Sequence, residues 1–185
     1  MRKAIFLDRD GVINREIGHI HRVDDFHLLE NVSNAIKLIN QSEYLAIIIT
    51  NQSAVARGLC TIKDIDAIHK KMKTLLGKDG AKLDAIYYCP HHPDKGVPGE
   101  NTVYKVDCDC RKPKIGMLKK AAEDFNIDLT SSYFIGDSTR DIVCGQNAHM
   151  KTIGVRTGYG CNDGDVKPDL MFEDLYEAIR FIIKN

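Results

Sequence analysis

No surplus of either charge, no apolar run long enough to cross a bilayer and no repeated or low-complexity tract occurs in this 185-residue chain. Each lack removes a class of function. Lysine plus arginine equals aspartate plus glutamate, at 26 each, so the basic excess that drives counterion release from nucleic acid is missing and no nucleic-acid partner is expected. The longest apolar run, near residues 45–49, falls far short of the ~20 residues that a membrane helix needs. The apolar residues 4–7 are too few for a secretory leader and no small-residue cleavage site follows them. A cytoplasmic monomer without a membrane partner is the resulting expectation.

What is present is ordinary for a globular protein: 43% hydrophobic and 28% charged residues, in a length that suits one domain spanning 1–185. Apolar, β-branched runs alternate with helical patterns. Strands are predicted over 3–7, 45–50, 84–89, 132–135, 152–155 and 169–172, with helices over 31–42, from Thr61 on, and over 115–125, 139–147 and 175–183. Thr61 followed by Asp64 has the capping-box spacing. Continuous apolar strands separated by helices predict an α/β fold, a doubly wound, Rossmann-like parallel sheet with helices on both faces. Ligands of such sheets sit beyond the carboxyl ends of the strands, which makes the polar residues just after each strand the candidates.

Those residues are Asp8 and Asp10, then Thr50 and Asn51, then Cys89, then Asp137 and Asp141. A DxDG string such as Asp8-Arg9-Asp10-Gly11 is by itself compatible with a plain solvated turn or the start of a calcium loop. Several carboxylates brought to one sheet edge repel each other unless a cation lies among them, and Mg2+ suits a few carboxylates plus phosphate oxygens.

The set in order, DxDG after the first strand, Thr50 after the second, Lys112 later and GDxxxD from Gly136 to Asp141, resembles the haloacid-dehalogenase superfamily of phosphotransferases. That resemblance covers essentially the whole chain. It implies that Asp8 is the nucleophile and forms an acyl phosphate, and that Asp10 is the general acid and base. It further implies that Asp8, the backbone carbonyl of Asp10 and Asp137 hold Mg2+, with Asp141 acting through water or orienting the others. Thr50 and Lys112 would bind the transferring phosphoryl oxygens.

Of six cysteines, four lie in pairs with a histidine: Cys89-Pro90-His91 and Cys108-Asp109-Cys110. They flank an aperiodic stretch from Pro90 to Lys114 that needs a reason to be ordered. Four soft ligands in two close pairs suit a closed, structural Zn2+ as Cys3His, in a zinc loop over about 89–112; His92 competes with His91, which the family pattern favours. The strings DRDGVIN, TNQS, YCPHHP and CDCRKP together resemble a zinc-loop subgroup, the heptose 1,7-bisphosphate 7-phosphatases of surface-polysaccharide synthesis and the related histidinol-phosphate phosphatase domains. By that resemblance Glu16, Ile17, Gly18, His19, Asn51, Gln52 and Ser53 line a sugar-phosphate site and Arg111 recognises the sugar or its second phosphate. Two departures leave the sugar contacts open: Ser138 stands where lysine is expected and His19 near an expected tyrosine. No stretch is long enough for a large cap domain. A nucleic-acid 3′-phosphatase and a receiver-like phosphorylated domain are the remaining alternatives. Asp10 speaks against the latter, since an acid/base two residues from the nucleophile favours turnover. Cys60, Cys144 and Cys161, and His21, His27, His69 and His149, are expected to be packing or surface residues.

Overall fold

A computed structural model describes residues 1–96 and 98–184; Val97, within the expected zinc loop, and Asn185, the end of the expected domain, lie outside the described residues. Six strands form one sheet: β1 (Lys3–Leu7), β2 (Tyr44–Asn51), β3 (Ala85–Cys89), β4 (Tyr133–Gly136), β5 (Lys151–Val155) and β6 (Leu170–Phe172). Their order is β3-β2-β1-β4-β5-β6, and every pairing is parallel. Five helices join or close them: α1 (Val32–Asn40), α2 (Ile62–Lys78), α3 (Gly116–Phe125), α4 (Thr139–Asn147) and α5 (Leu175–Lys184).

Strand alternation divides the interior into two layers. Ile5, Leu7, Ala46 and Ile48 point to one face and pack with buried side chains of α1, α2 and α5; Ala4, Phe6, Ile47 and Ile49 point to the other and pack with α3 and α4. Both faces of β1 and β2 are covered, which is why they read as unbroken apolar runs. Burying each such Ile or Leu contributes about 1.5–3 kcal/mol, the largest favourable term in this architecture.

The predicted elements are all present, with ends differing by one or two residues. Asn31, expected as the first helical residue, instead sits at φ 60 and caps α1 from outside. The stretch after β3 contains, among the described residues, only a 3-10 turn at Thr102–Tyr104. Its anchors fall where the residue order carries no periodic signal. Asn101 N–H donates to Ala56 C=O at 3.1 Å, His92 N–H to Tyr104 C=O at 3.1 Å, and buried Lys105 reaches Glu100 at 3.2 Å and the carbonyl of Asp94.

The chain runs outward from β1 to β2 and β3, then returns to β4 on the other side of β1. The switch point therefore lies between the ends of β1 and β4, where a crevice opens beyond the sheet. Asp8 follows one strand and Asp137 the other.

The start of α2 offers a test away from that crevice. Asp64 N–H donates to Thr61 Oγ1 at 3.3 Å, and Thr61 N–H donates to Asp64 Oδ2 at 2.8 Å. Thr61→Ala should lower stability by about 1 kcal/mol. Urea unfolding checks this as a lower midpoint at unchanged slope, with the chemistry of the crevice unaffected.

Candidate active site

Asp8 is seated by its own N–H, which donates to Ile135 C=O at 3.0 Å and joins the end of β1 to β4. The chain then turns around one carbonyl: the N–H groups of Ile13 and Asn14 donate to Arg9 C=O at 2.8 and 3.1 Å. Gly11 makes this turn at φ +80, and a Cβ there would collide with the Asp137 carboxylate. Gly158, at φ +63 in the loop after β5, presses on the same carboxylate from the other side. Tyr159 N–H donates to Asp137 Oδ2 at 2.8 Å. Asp137 is thus fixed by two left-handed glycines and a backbone donor, an arrangement with no room for a side chain at either glycine.

Lys112 arrives from the far end of the zinc loop. Its ammonium donates to Asp8 Oδ1 at 2.8 Å, Asp141 Oδ1 at 2.7 Å and Ile49 C=O at 2.8 Å, which uses all three of its hydrogens. Asn51 holds both backbone groups of Lys112, accepting its N–H at 3.0 Å and donating to its C=O at 3.1 Å. Asp141 also accepts from Ser138 N–H at 3.2 Å and Ser138 Oγ at 3.0 Å as the cap of α4. Ser138, which stands in place of an expected lysine, is therefore a helix cap.

Asp8, Asp137 and Asp141 bring carboxylate oxygens within 4.8 Å of one another. Burial first, then the Asp141 charge, push the Asp8 carboxyl up to about 7 against the pull of Lys112; burial, Asp8 and Asp141 push Asp137 up to about 8. Burial works against the charge on Lys112, but Asp141 and Asp8 outweigh it and raise its pKa. One ammonium cannot neutralise three carboxylates, two of them buried and the third, Asp8, partly so. The donor set is hard oxygen with excess negative charge, and it fits a divalent cation of the Mg2+ type.

Asp10 stands apart from this trio. Its carboxylate accepts from Arg9, from Asn14 Nδ2 at 2.9 Å and from Gln52 Nε2 at 2.8 Å. Burial alone would raise its pKa; Arg9 and the Asn14 hydrogen bond outweigh burial and hold it below the ordinary carboxylate range. These donors hold the Asp10 carboxylate apart from the cluster of Asp8, Asp137 and Asp141.

These groups line a crevice of about 180 Å³. Glu16, Gly18, His19, Asn51, Ser53 and Arg111 form its walls, as the sequence pattern predicts. Three predicted contacts are placed elsewhere. Ile17 projects outward and is 58% exposed, because the turn closed by Glu16 and Gly18 directs the intervening side chain to solvent. Gln52 and Thr50 are buried behind the wall, where Gln52 Nε2 donates to Thr50 Oγ1 at 2.9 Å. Arg140 and Tyr159 line the crevice although sequence reasoning did not select them. Arg140 lies inside the GDxxxD string, and Tyr159 follows the fifth strand, an end that carries no acidic signal. His69, expected as a plain packing residue, is buried but meets Arg9 Nη1 through Nε2 at 3.3 Å.

Beside the crevice, Cys89, His91, Cys108 and Cys110 converge. Their sulfur–sulfur separations are 3.1–3.5 Å, and His91 Nδ1 lies 3.3 Å from Cys110 Sγ and 3.7 Å from Cys89 Sγ. All six cysteines are free thiols. Three sulfurs and a ring nitrogen at the corners of a compact tetrahedron fit a soft-metal site, and His92 is turned away, to Asp94 and Arg57. Arg111 Nη1 donates to His91 C=O at 3.0 Å, so this cluster also orients a crevice residue.

A doubly wound sheet with an aspartate trio, a buried lysine and a separately held fourth carboxylate at its switch point defines a phosphatase of the haloacid-dehalogenase class. A HAD-hydrolase-like family model matches residues 109–178. The chain is 40% identical over 184 residues to the D-glycero-beta-D-manno-heptose-1,7-bisphosphate 7-phosphatase of Haemophilus ducreyi, covering 98% of both. It is 42% identical to that of Haemophilus influenzae, covering 98% of this chain and 97% of the other. Among solved structures, D,D-heptose 1,7-bisphosphate phosphatase from B. bronchiseptica, complexed with magnesium and phosphate, superposes with a TM-score of 0.86 at 33% identity, over 98% of both chains. The chain belongs to the heptose-1,7-bisphosphate 7-phosphatase family of haloacid-dehalogenase-like hydrolases, and it is an enzyme, a phosphatase.

The raised proton affinities of Asp8 and Asp137 give a pH prediction. Protons held above the usual carboxylate range must leave when a cation binds, so apparent Mg2+ affinity should weaken by about tenfold or more as pH falls from about 8 to about 6. Titration calorimetry in buffers of different ionisation enthalpy should register the proton release. Affinity flat across that range would contradict the assignment.

Proposed function

We propose that this enzyme hydrolyses the 7-phosphate of a D-glycero-D-manno-heptose 1,7-bisphosphate, through an aspartyl-phosphate on Asp8, in the supply of nucleotide-activated heptose for surface polysaccharide. The observation that carries the reading is the division of labour at the switch point: Asp8 in a trio that Lys112 neutralises only in part, and Asp10 held separately by its own donors. Relatives named for this reaction, matched over almost the full chain, support the choice of substrate.

In this scheme an Asp8 oxygen attacks phosphorus while Lys112 offers positive charge at the same oxygen cluster. Asp8, the Asp10 carbonyl and Asp137, with Asp141 behind them, would hold Mg2+, which would supply charge neutralisation for the phosphoryl oxygens. Asp10, whose proton affinity rises once a phosphate dianion lies beside it, gives a proton to the leaving sugar oxygen. It then takes one from the water that hydrolyses the acyl phosphate, regenerating Asp8. Thr50 acts by holding Gln52 against Asp10, and Arg111 is aimed at the substrate's far phosphate. The chain works here as one domain over 1–185, a cytoplasmic monomer acting on a small phosphorylated sugar. The thiol cluster is read as a structural Zn2+ site of Cys89, His91, Cys108 and Cys110.

Phosphate release from heptose bisphosphates, histidinol phosphate and a 3′-phosphorylated oligonucleotide tests the substrate. The heptose esters should exceed the others in kcat/KM by about 100-fold or more, a gap of about 3 kcal/mol in transition-state binding. Comparable turnover of histidinol phosphate would overturn the assignment. Asp8→Asn should leave the fold intact and reduce release to under about a thousandth of wild type.

The zinc reading has its own check. Elemental analysis should find about one zinc per chain. Cys108→Ser should loosen the segment that carries Arg111 and Lys112 and lower kcat/KM for the bisphosphate by about 100-fold, since small misplacements have effects of that order. An aryl phosphate, with no second phosphate for Arg111, should lose less. Equal losses on both substrates would remove the orienting role.

A further inference from the structure

Arg9 lies between the nucleophile and the acid/base residue, yet its side chain turns away from both the crevice and solvent and is 0% exposed. A guanidinium in such a place is costly unless its charge and donors are met. Asp10 meets them: Arg9 Nη2 donates to Oδ1 at 2.8 Å and Oδ2 at 2.9 Å, and Nε to Oδ1 at 3.2 Å. The turn on which the motif depends uses only the Arg9 carbonyl, so it sets no requirement for this side chain. At the far end, Nη1 faces His69 Nε2 at 3.3 Å. Arginine only donates, so His69 is the acceptor and its proton sits on Nδ1. Burial and the neighbouring guanidinium push the His69 pKa down to about 3, in keeping with a ring that stays neutral. That ring in turn packs edge-on against Tyr88, at 5.2 Å between centroids, and Tyr88 Oη donates to Asp66 at 3.1 Å.

A chain of contacts thus runs from α2 and β3, through His69 and Arg9, to the back of the Asp10 carboxylate. The side chain of Asp10 keeps 13% of its surface open and lines the crevice. A carboxylate on a two-torsion side chain has several rotamers; three bonds from one rigid, planar fork leave one.

We propose that Arg9, oriented by His69, is a positioning residue: it fixes the rotamer from which Asp10 exchanges a proton with the leaving oxygen. The proposal rests on the reading of Asp10 as general acid. It predicts a dependence on the leaving group that a purely structural role would not produce. An ester whose alcohol leaves readily as an anion needs little protonation, whereas an alkyl or sugar ester needs it fully.

The test is kcat/KM, which reports the steps through phosphoryl transfer to Asp8, for a series of monoesters from 2,4-dinitrophenyl through phenyl to alkyl and heptose phosphates. Arg9→Met should lose about 100-fold or more on the alkyl and sugar esters, and no more than about threefold on the dinitrophenyl ester. Asp10→Asn should show the same slope, and the double variant should be no worse than Asp10→Asn alone, because both remove one function. His69→Phe keeps the ring against Tyr88 but not the acceptor, and should give the same slope at a smaller amplitude, about fivefold on the alkyl esters. His69→Gln, which restores an acceptor, should return toward wild type. A loss in Arg9→Met that is uniform across the series, or that adds fully to Asp10→Asn, would overturn the proposal while leaving Asp10 as the acid. A flat series for Asp10→Asn itself would overturn both. Should Arg9→Met not fold, the His69 pair decides: a flat series in folded His69→Phe counts against the proposal, and a sloped series rescued by glutamine supports it.

Discussion

The ammonium of Lys112, shared among Asp8, Asp141 and the Ile49 carbonyl, is the contact on which the crevice depends. Three largely enclosed carboxylates at one sheet edge would repel one another and take up protons. A single cation with three donors, each aimed at a different strand end or helix cap, stitches β1, β2 and α4 together and favours the ionised form of Asp8. The residual negative charge then has somewhere to go only if a divalent ion joins. Too much positive charge from the protein would abolish the metal site, and too little would leave the trio protonated.

That balance requires parallel strands. In the order β3-β2-β1-β4-β5-β6, only β1 and β4 diverge at their carboxyl ends in opposite directions, so only there can side chains from neighbouring strands face one gap. The ends of β2 and β3 lie on one flank and deliver Asn51 and Cys89; the end of β5 lies on the other and delivers Gly158 and Tyr159. The two glycines packed on Asp137 show how tightly the flanks close, since neither tolerates even a methyl group. Functional precision here comes from the sheet, and the loops after it are clamped onto its edge.

Much of this was legible in the residue order, for definable reasons. Strands buried on both faces announce themselves as apolar runs, and the residues that follow them mark the site because the fold puts every such end on one side. The acidic motifs were therefore readable one by one. Strand order was not, because no residue encodes which neighbour a parallel strand will take. Arg9 was hidden by its position, an arginine in a polar turn looking like any solvated cation until burial is known. Arg140 and Tyr159 were hidden for the opposite reason, as exposed side chains whose relevance comes only from what they face. Gln52 and Thr50 were found, but as wall residues, since a strand-end pattern shows proximity and does not show which side chain turns outward.

Cys110, Arg111 and Lys112 are consecutive, so a soft-ligand cluster, a crevice-lining cation and the hard-ligand crevice are joined by two peptide bonds. Donor chemistry keeps the two clusters distinct: thiolate and imidazole suit a zinc-like ion, carboxylates a magnesium-like one. The separation serves a mechanical need. A loop of this length, left to itself, would carry Lys112 with an uncertainty larger than a hydrogen bond tolerates. Tying Cys108 and Cys110 back to Cys89, the last residue of β3, refers the loop's end to the same sheet that holds Asp8. Asn51, one residue past Thr50 on the neighbouring strand, then grips the Lys112 backbone from both sides. The loop is thereby registered twice against the sheet, once by the thiol cluster and once by amide hydrogen bonds. The lysine can deliver its charge to a fixed point even though most of the segment before it has no regular structure.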